Sequence, residues 1–139
     1  MIVRLRQTVN FVTLGTPLGL LFALVGRARI SRGPHGLLLA RGYRAPFPAP
    51  RAPAVTIGDV VLLRLDDERL ARRPRLLDHE ARHAVQYACC LGPTVFLPAY
   101  LLASIWSWWV TGDFALRNVF EYRAGLVDGG YVSLPPPLP

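Results

Sequence analysis

Residues 76–91, LLDHEARHAVQYACCL, decide the fold that this sequence predicts. Pro74 precedes them and suits the first position of a helix. Gly92 and Pro93 follow them and form a strong stop signal. We therefore expect one helix, called the motif helix below, to run through this stretch.

The motif helix carries two histidines on one face. His79 and His83 are four residues apart, which on a helix places them about one turn apart on the same side. Two imidazoles in that arrangement can both reach one zinc ion. Glu80 lies beside them, where it could take a proton from a zinc-bound water and pass it to a leaving amine. This His-Glu-x-x-His spacing predicts a zinc peptidase, and the alternative is two surface histidines on an amphipathic helix.

A catalytic zinc takes three protein ligands and keeps one position open. Glu121 is the only glutamate after the motif, and we expect it to be the third ligand. Its spacing from Asn118 is also that of a capping box, so a role in the helix cap is the alternative. Three other residues stay in play as rival ligands: His35, Asp113 and Asp128. His35 could also complete a closed, four-ligand structural site.

Two stretches upstream of the motif helix predict strands. Residues 36–43, GLLLARGY, and 54–65, AVTIGDVVLLRL, are rich in apolar and β-branched residues. A proline-rich loop, residues 46–53, separates them and can be neither helix nor central strand. We expect the two to form an antiparallel pair, with Gly58 marking a bulge. The edge of the strand at 55–64 could then pair with an extended peptide substrate.

Two further helices follow the motif helix. A very apolar, Trp-rich helix is expected over 94–110 and ends at Gly112. A third helix, which carries Glu121, is expected from Asn118 to Gly129-Gly130. The predicted class is α+β, in one domain over residues 34–130, followed by a proline-rich tail at 131–139.

Residues 1–33 form an apolar N-terminal segment, predicted to be a membrane-associated helix or hairpin, with a buried or interfacial helix as the alternative. Arg27, Arg29 and Arg32 follow it and favour a cytoplasmic catalytic part. The zinc hypothesis limits where the Trp-rich helix can lie relative to a membrane. His83 and Glu121 must each lie within about 2 Å of one ion. A crossing between them would part them by about 30 Å of hydrocarbon. We therefore expect that helix to pack on the motif helix or lie in the membrane interface.

Composition excludes other classes of protein. The net charge is +7, but every basic residue is arginine and the arginines are scattered. The chain has no recognition-helix or aromatic-basic strand pattern, so we expect no nucleic-acid partner. Cys89 and Cys90 are adjacent and seldom bridge in that arrangement, so we interpret them as small apolar helix residues.

Four pieces of the chain carry a resemblance to a known family: GDVVLLR (58–64), HEARHAVQY (79–87), LGPTVFLPAYLLASIWSWW (91–109) and NVFEYRA (118–124). They resemble a family of small bacterial HExxH zinc metallopeptidases of the gluzincin type. The resemblance implies His79, His83 and Glu121 as zinc ligands, Glu80 as catalytic base, and a minimal zincin-like arrangement of three helices with an edge strand. The sequence leaves one alternative function, a non-enzymatic, membrane-associated protein with a structural or degenerate zinc site.

This sequence departs from the gluzincin pattern at one supporting residue. Better-known gluzincins carry an acidic residue four positions after the ligand glutamate, where it supports a ligand histidine. Here that position is Gly125, so support must come from elsewhere, with Asp78 and Asp128 as candidates. Gln86 lies on the histidine face, and Arg82 is expected to be solvated. Three tyrosines are candidates for stabilising an oxyanion, and the sequence does not choose among them: Tyr100, Tyr122 and Tyr131.

Overall fold

The computed structural model of this chain describes residues 1–132, and it shows an α+β fold. The helices are α1 Val3–Val12, α2 Gly15–Val25, α3 Asp67–Ala71, α4 Leu76–Cys89, α5 Pro93–Thr111 and α6 Val119–Ala124. The strands are β1 Arg29–Arg32, β2 Leu38–Arg41, β3 Ala54–Ile57 and β4 Val60–Leu63. Most of the predicted tail, residues 133–139, lies outside the described residues.

The sheet differs from the predicted antiparallel pair. Its order is β1-β2-β4-β3, and β2 runs parallel to β4, with Leu38 opposite Val60. The stretch predicted as one strand at 54–65 is a hairpin instead, with Ile57 opposite Val60 across the turn. Because the chain reverses there, β4 points along β2 rather than against it.

Gly58 causes this reversal and is a turn residue rather than a bulge. Its φ of 63° lies in the left-handed region that glycine adopts freely. A Cβ at this position would lie 2.3 Å from the carbonyl carbon of Gly15 in α2. The turn therefore needs glycine both for its conformation and for the close approach of α2.

The sheet is covered on both faces, as the continuous apolar run of β4 requires. Val61 and Leu63 pack with Leu39 against α4, through Leu76 and Ala84. The alternate residues of β4, Val60 and Leu62, pack with Ala23 of α2 on the opposite face. The motif helix thus packs on the sheet, next to the edge strand β3.

Helix ends differ from prediction at two places. The motif helix α4 begins at Leu76, with Arg75 as its N-cap, so Pro74 lies in the turn before it. The third helix was predicted to reach Gly129-Gly130, but α6 ends at Ala124 because Gly125 adopts a φ of 99°. The Trp-rich helix α5 agrees with prediction and ends at Gly112, which is left-handed.

The N-terminal segment is two helices that meet at 74°. Helix α5 is long and apolar enough to cross a membrane, and the α1–α2 pair passes the same test if it counts as one span. After α5 the chain folds back along it. Ser107 donates to the carbonyl of Asp113 at 2.6 Å, and Asn118 donates to the Ser104 hydroxyl at 2.8 Å. Helix α5 therefore does not separate His83 from Glu121.

Candidate metal centre

The structure brings the three predicted ligands together. His79 and His83 come from α4, and Glu121 comes from the first turn of α6. The two Nε2 atoms lie 3.0 Å apart. Oε2 of Glu121 lies 3.1 Å from Nε2 of His79, and Oε1 lies 3.4 Å from Nε2 of His83. All three residues are buried, and one ligand atom from each lies within 4.8 Å of the others.

The outer nitrogen of each histidine faces an oxygen that can only accept. Nδ1 of His79 lies 2.9 Å from the carbonyl of Gly125. Nδ1 of His83 lies 2.9 Å from Oε1 of Gln86, whose amide nitrogen donates to the carbonyl of Phe120. That second bond fixes which way the amide points. Both Nδ1 atoms must therefore carry hydrogen, which in a neutral imidazole leaves each Nε2 with a free lone pair.

The centre of the cluster therefore holds acceptors without donors. Oε2 of Glu121 is fully buried and accepts no hydrogen bond of good geometry. Two imidazole lone pairs and this carboxylate oxygen point at one another, which is unfavourable without a positive charge between them. The buried group of His79, His83 and Glu121 can bind a metal ion, and nitrogen and oxygen donors of this kind suit a divalent transition metal.

The electrostatics of the cluster agree with that interpretation. Burial acts to raise the pKa of Glu121, but His79 and His83 beside its carboxylate, the charge of His83 when protonated, and the hydroxyl of Tyr100 hold that pKa well below its usual range. Burial acts to lower the pKa of His83, but Glu121, then Glu80 and Gln86, raise it to about 8. Without a metal, the cluster is thus stabilised by a proton in the place that a cation would occupy.

Glu80 lies on the side of α4 that faces the sheet. Thr56 of the edge strand β3 donates its hydroxyl to Oε2 of Glu80 at 2.6 Å. The charge of Glu80 also acts on His83, Tyr100 and Tyr131, where it raises the pKa of each. The carboxylate is therefore close to the cluster without being one of its ligands.

The carboxylate of Glu121 takes no part in capping α6, which was the alternative role that its spacing from Asn118 suggested. The side chain of Asn118 caps α6 by accepting from the backbone N–H of Phe120. The carboxylate of Glu121 instead receives the hydroxyl of Tyr100 on Oε1. Asn118 thus caps α6 through Phe120 rather than Glu121, and its own backbone N–H donates to Ala115, so the capping box that the spacing allowed does not form.

The rival ligands are not brought to the cluster. His35 lies 2.7 Å from a carboxylate oxygen of Asp78. Asp113 accepts from the backbone N–H groups of Ala115 and Leu116. Asp128 pairs with arginines, among them Arg82 at 2.7 Å. A closed site with His35 as fourth ligand does not form among the described residues.

Support for the histidines comes from a backbone carbonyl that the sequence did not single out, and from Gln86, which the sequence placed on the histidine face. The carboxylates of Asp78 and Asp128, the predicted candidates, bond His35 and arginines rather than either ligand histidine. The carbonyl of Gly125 supports His79, at the position where the expected carboxylate is missing. Gln86 supports His83, and its place one turn further along the histidine face was the available signal.

Other site residues gave weaker signals or none. Thr56 carried no signal, because one threonine in a strand is ordinary. Arg82, predicted to be solvated, donates to the carbonyl of Ala124 at 2.5 Å and so fastens α6 to α4. A Cβ on Gly129 would lie 2.7 Å from Cε1 of His79, so that histidine ring is covered by backbone.

Two of the three candidate tyrosines reach the cluster. Tyr100 bonds Glu121, and burial with the nearby carboxylates raises its pKa. The ring of Tyr131 lies 6.0 Å from that of His79, and its pKa is raised in the same way. Both hydroxyls therefore keep their protons, and the hydroxyl hydrogen of Tyr100 is donated to Glu121. Tyr122 is not among the side chains that the described residues place against the cluster.

No protein-family model, curated protein or solved structure matches this chain. The resemblance to gluzincin-type peptidases stays a prediction, and the site is interpreted below from its own geometry.

Proposed function

We propose that this protein is a zinc-dependent peptidase in which Glu80 is the general base. One observation carries the proposal: two histidines with free Nε2 lone pairs and a buried, unsatisfied carboxylate oxygen converge on one point. The carboxylate of Glu80 lies close enough for its charge to raise the pKa of His83. Three protein ligands are the number that a catalytic zinc uses. His79, His83 and Glu121 would hold the ion.

Zinc in such a site supplies a Lewis acid that polarises a carbonyl group and makes water more acidic. Glu80 would accept the proton of the attacking water and return it to the leaving amine. Thr56 holds one oxygen of Glu80, so the other stays available for this transfer. Tyr131 is the tyrosine donor left near the cluster for an oxyanion, because the single hydroxyl hydrogen of Tyr100 is already donated to Glu121.

The position of β3 supports a peptide as the substrate. This strand is at the edge of the sheet, and it is the strand that bonds Glu80. An extended peptide can add to such an edge through main-chain hydrogen bonds, which would lay its backbone beside the catalytic carboxylate.

Burial favours a second candidate function. His79, Glu80, His83 and Glu121 are each at most 7% exposed. A site so enclosed would also suit a non-enzymatic protein in which the zinc is structural or the catalytic centre is degenerate.

A single pair of variants distinguishes the two functions. Glu80→Gln should keep about one zinc per chain and lose hydrolysis of a broad peptide library, since the amide cannot accept the proton. His83→Ala should lose both zinc and hydrolysis. If the unaltered protein holds zinc yet cleaves nothing in that library, the peptidase proposal is wrong and the second candidate stands.

A further inference from the structure

The second half of helix α5 has its polar residues inside and its apolar residues outside, the reverse of a helix at a water-exposed surface. In the first half, Phe96 packs in the core. Ser104 and Ser107 face the protein, and Ser107 is 0% exposed. Leu102, Trp106 and Trp109 face outward, and Trp109 is 78% exposed. A surface helix in water buries its apolar stripe and exposes its polar one. This arrangement is expected where the surroundings are apolar.

The α1–α2 pair repeats the pattern in a separate part of the chain. Arg6 and Asn10 are buried, where Arg6 pairs with Asp59 and Asn10 donates to the carbonyl of Ala84. Gly19 of α2 packs so closely on the sheet that a Cβ would lie 2.5 Å from the carbonyl oxygen of Ile57. Small and polar residues facing inward are typical of helices packed in a membrane. The exposed side carries large apolar residues, Phe11, Val12, Leu21 and Leu24, while the first turns of α1 also expose Arg4 and Thr8. A long arginine side chain near the start of a helix can extend to the headgroup level.

The two apolar surfaces meet at a pair of turns. The α1–α2 turn contacts the α4–α5 turn, where a Cβ on Gly92 would lie 2.6 Å from that of Thr13. Leu14 and Leu91 are next to this contact, and both have positive φ, 68° and 55°. They are 65% and 69% exposed. Two leucines are thus held at exposed positions in backbone conformations that cost energy for such residues, one from each turn.

The far end of α5 limits how deep the helix can lie. Residues 112–118 fold back along α5 as irregular backbone, with Asp113 and Arg117 exposed. Charged groups and irregular backbone are not found in contact with the hydrocarbon of a bilayer. Trp106, Trp108 and Trp109 are at this same end, and tryptophan prefers the level of the lipid headgroups. These features exclude a crossing and favour immersion in one leaflet.

We propose that the outward faces of α1–α2 and α5, with the turns at Leu14 and Leu91, are embedded in one leaflet of an anionic phospholipid bilayer. The net charge of the chain favours lipid, rather than a second copy of the chain, as the cover of this apolar surface. The net charge is +7, so two copies would repel each other, whereas anionic headgroups attract an arginine-rich protein. An exposed apolar surface of this extent marks a site that binds a membrane or another protein.

The three tryptophans of the chain all lie on α5, so native fluorescence reports on this helix alone. The test uses the full chain in vesicles of phosphatidylglycerol and phosphatidylcholine, with bromine on the acyl chains of the phosphatidylcholine. We expect these lipids to quench most of the tryptophan emission. The control replaces the three tryptophans by phenylalanine and adds Ala71→Trp, at an exposed site in the charged helix α3. Its emission should be quenched by aqueous iodide and not by the brominated lipid.

A second measurement needs no variant. Membranes from cells that express the unaltered chain should keep it through washes with high salt and alkaline carbonate, and release it with detergent. Native tryptophan emission that brominated lipid leaves unchanged would overturn the proposal. So would a detergent-free dimer in which light scattering shows a second copy covering α5.

Discussion

The hydroxyl of Thr56 donates to Oε2 of Glu80 at 2.6 Å, which links the edge strand β3 to the motif helix α4. The carboxylate proposed as general base is therefore oriented by the strand on which a peptide substrate would pair. Because Glu80 is almost fully buried, this hydrogen bond has little competition from water.

Thr56→Val should lower hydrolysis while leaving zinc in place. Valine has nearly the shape of threonine but cannot donate, and a hydrogen bond to a charged group contributes about 1.5–3 kcal/mol. We expect kcat/KM to fall about 10- to 100-fold. Thr56→Ser keeps the hydroxyl and should recover most of the activity. Equal activities of the valine and serine variants would show that Thr56 does not orient the base.

Zinc should raise the melting temperature of the protein in detergent solution. A ligand that binds only the folded state, at about 100 times its Kd, adds about 2.7 kcal/mol, or very roughly 10 °C in a domain of this size. His83→Ala should abolish the shift.

The matched control for that measurement is His35→Ala. His35 pairs with Asp78 and is outside the cluster, so its removal should leave the zinc shift intact. A shift lost equally in both variants would mean that His35 is a ligand after all, and that the closed structural site is correct.

Gln86 should matter for zinc affinity, although it touches no metal. It accepts from Nδ1 of His83 and donates to the carbonyl of Phe120, so it orients the imidazole and joins α4 to α6. Removing a residue that hydrogen-bonds a ligand histidine typically lowers metal affinity 10- to 100-fold. Gln86→Ala should weaken zinc binding by about that factor, measured by competition with a chelator. Gln86→Glu keeps the acceptor and should lose less.

The local part of the site could be predicted from sequence, because it depends on helix geometry. A spacing of four residues fixes the relation of His79 to His83, and a single downstream glutamate left Glu121 as the first choice of third ligand. The support from Gly125 could not be predicted, because a backbone carbonyl has no signature in the side-chain pattern. The sequence showed that position 125 has no carboxylate, but it could not show that the backbone carbonyl of Gly125 takes its place.

The sheet was harder to predict for a related reason. Gly58 inside an apolar run indicates either a bulge or a tight turn. A bulge lets the strand continue in the same direction, whereas a turn reverses the chain. The close approach of Gly15 in α2 requires the turn, and that contact joins residues 43 positions apart. The parallel pairing of β2 with β4 follows from it and is equally non-local.

Zinc affinity should depend on pH through His83. In the metal-free protein its pKa is raised from 6.5 to about 8, so the charged imidazole stabilises the fold fully below pH 6.5 and this stabilisation is lost as the pH rises through 8. Zinc needs the neutral imidazole and competes with that proton. Its apparent affinity should therefore rise with pH and level off above about 8.

Two titrations check this linkage. Zinc binding measured in metal buffers between pH 6 and 9 should strengthen by up to about tenfold per pH unit on the acidic side, as expected for one competing proton. The melting temperature of the chelator-treated protein should change in the opposite direction over the same range, because that form loses its stabilising charge. The His83→Ala variant should show neither effect. Zinc affinity that stays constant between pH 6 and 8 would show that no proton occupies the cluster in the absence of metal.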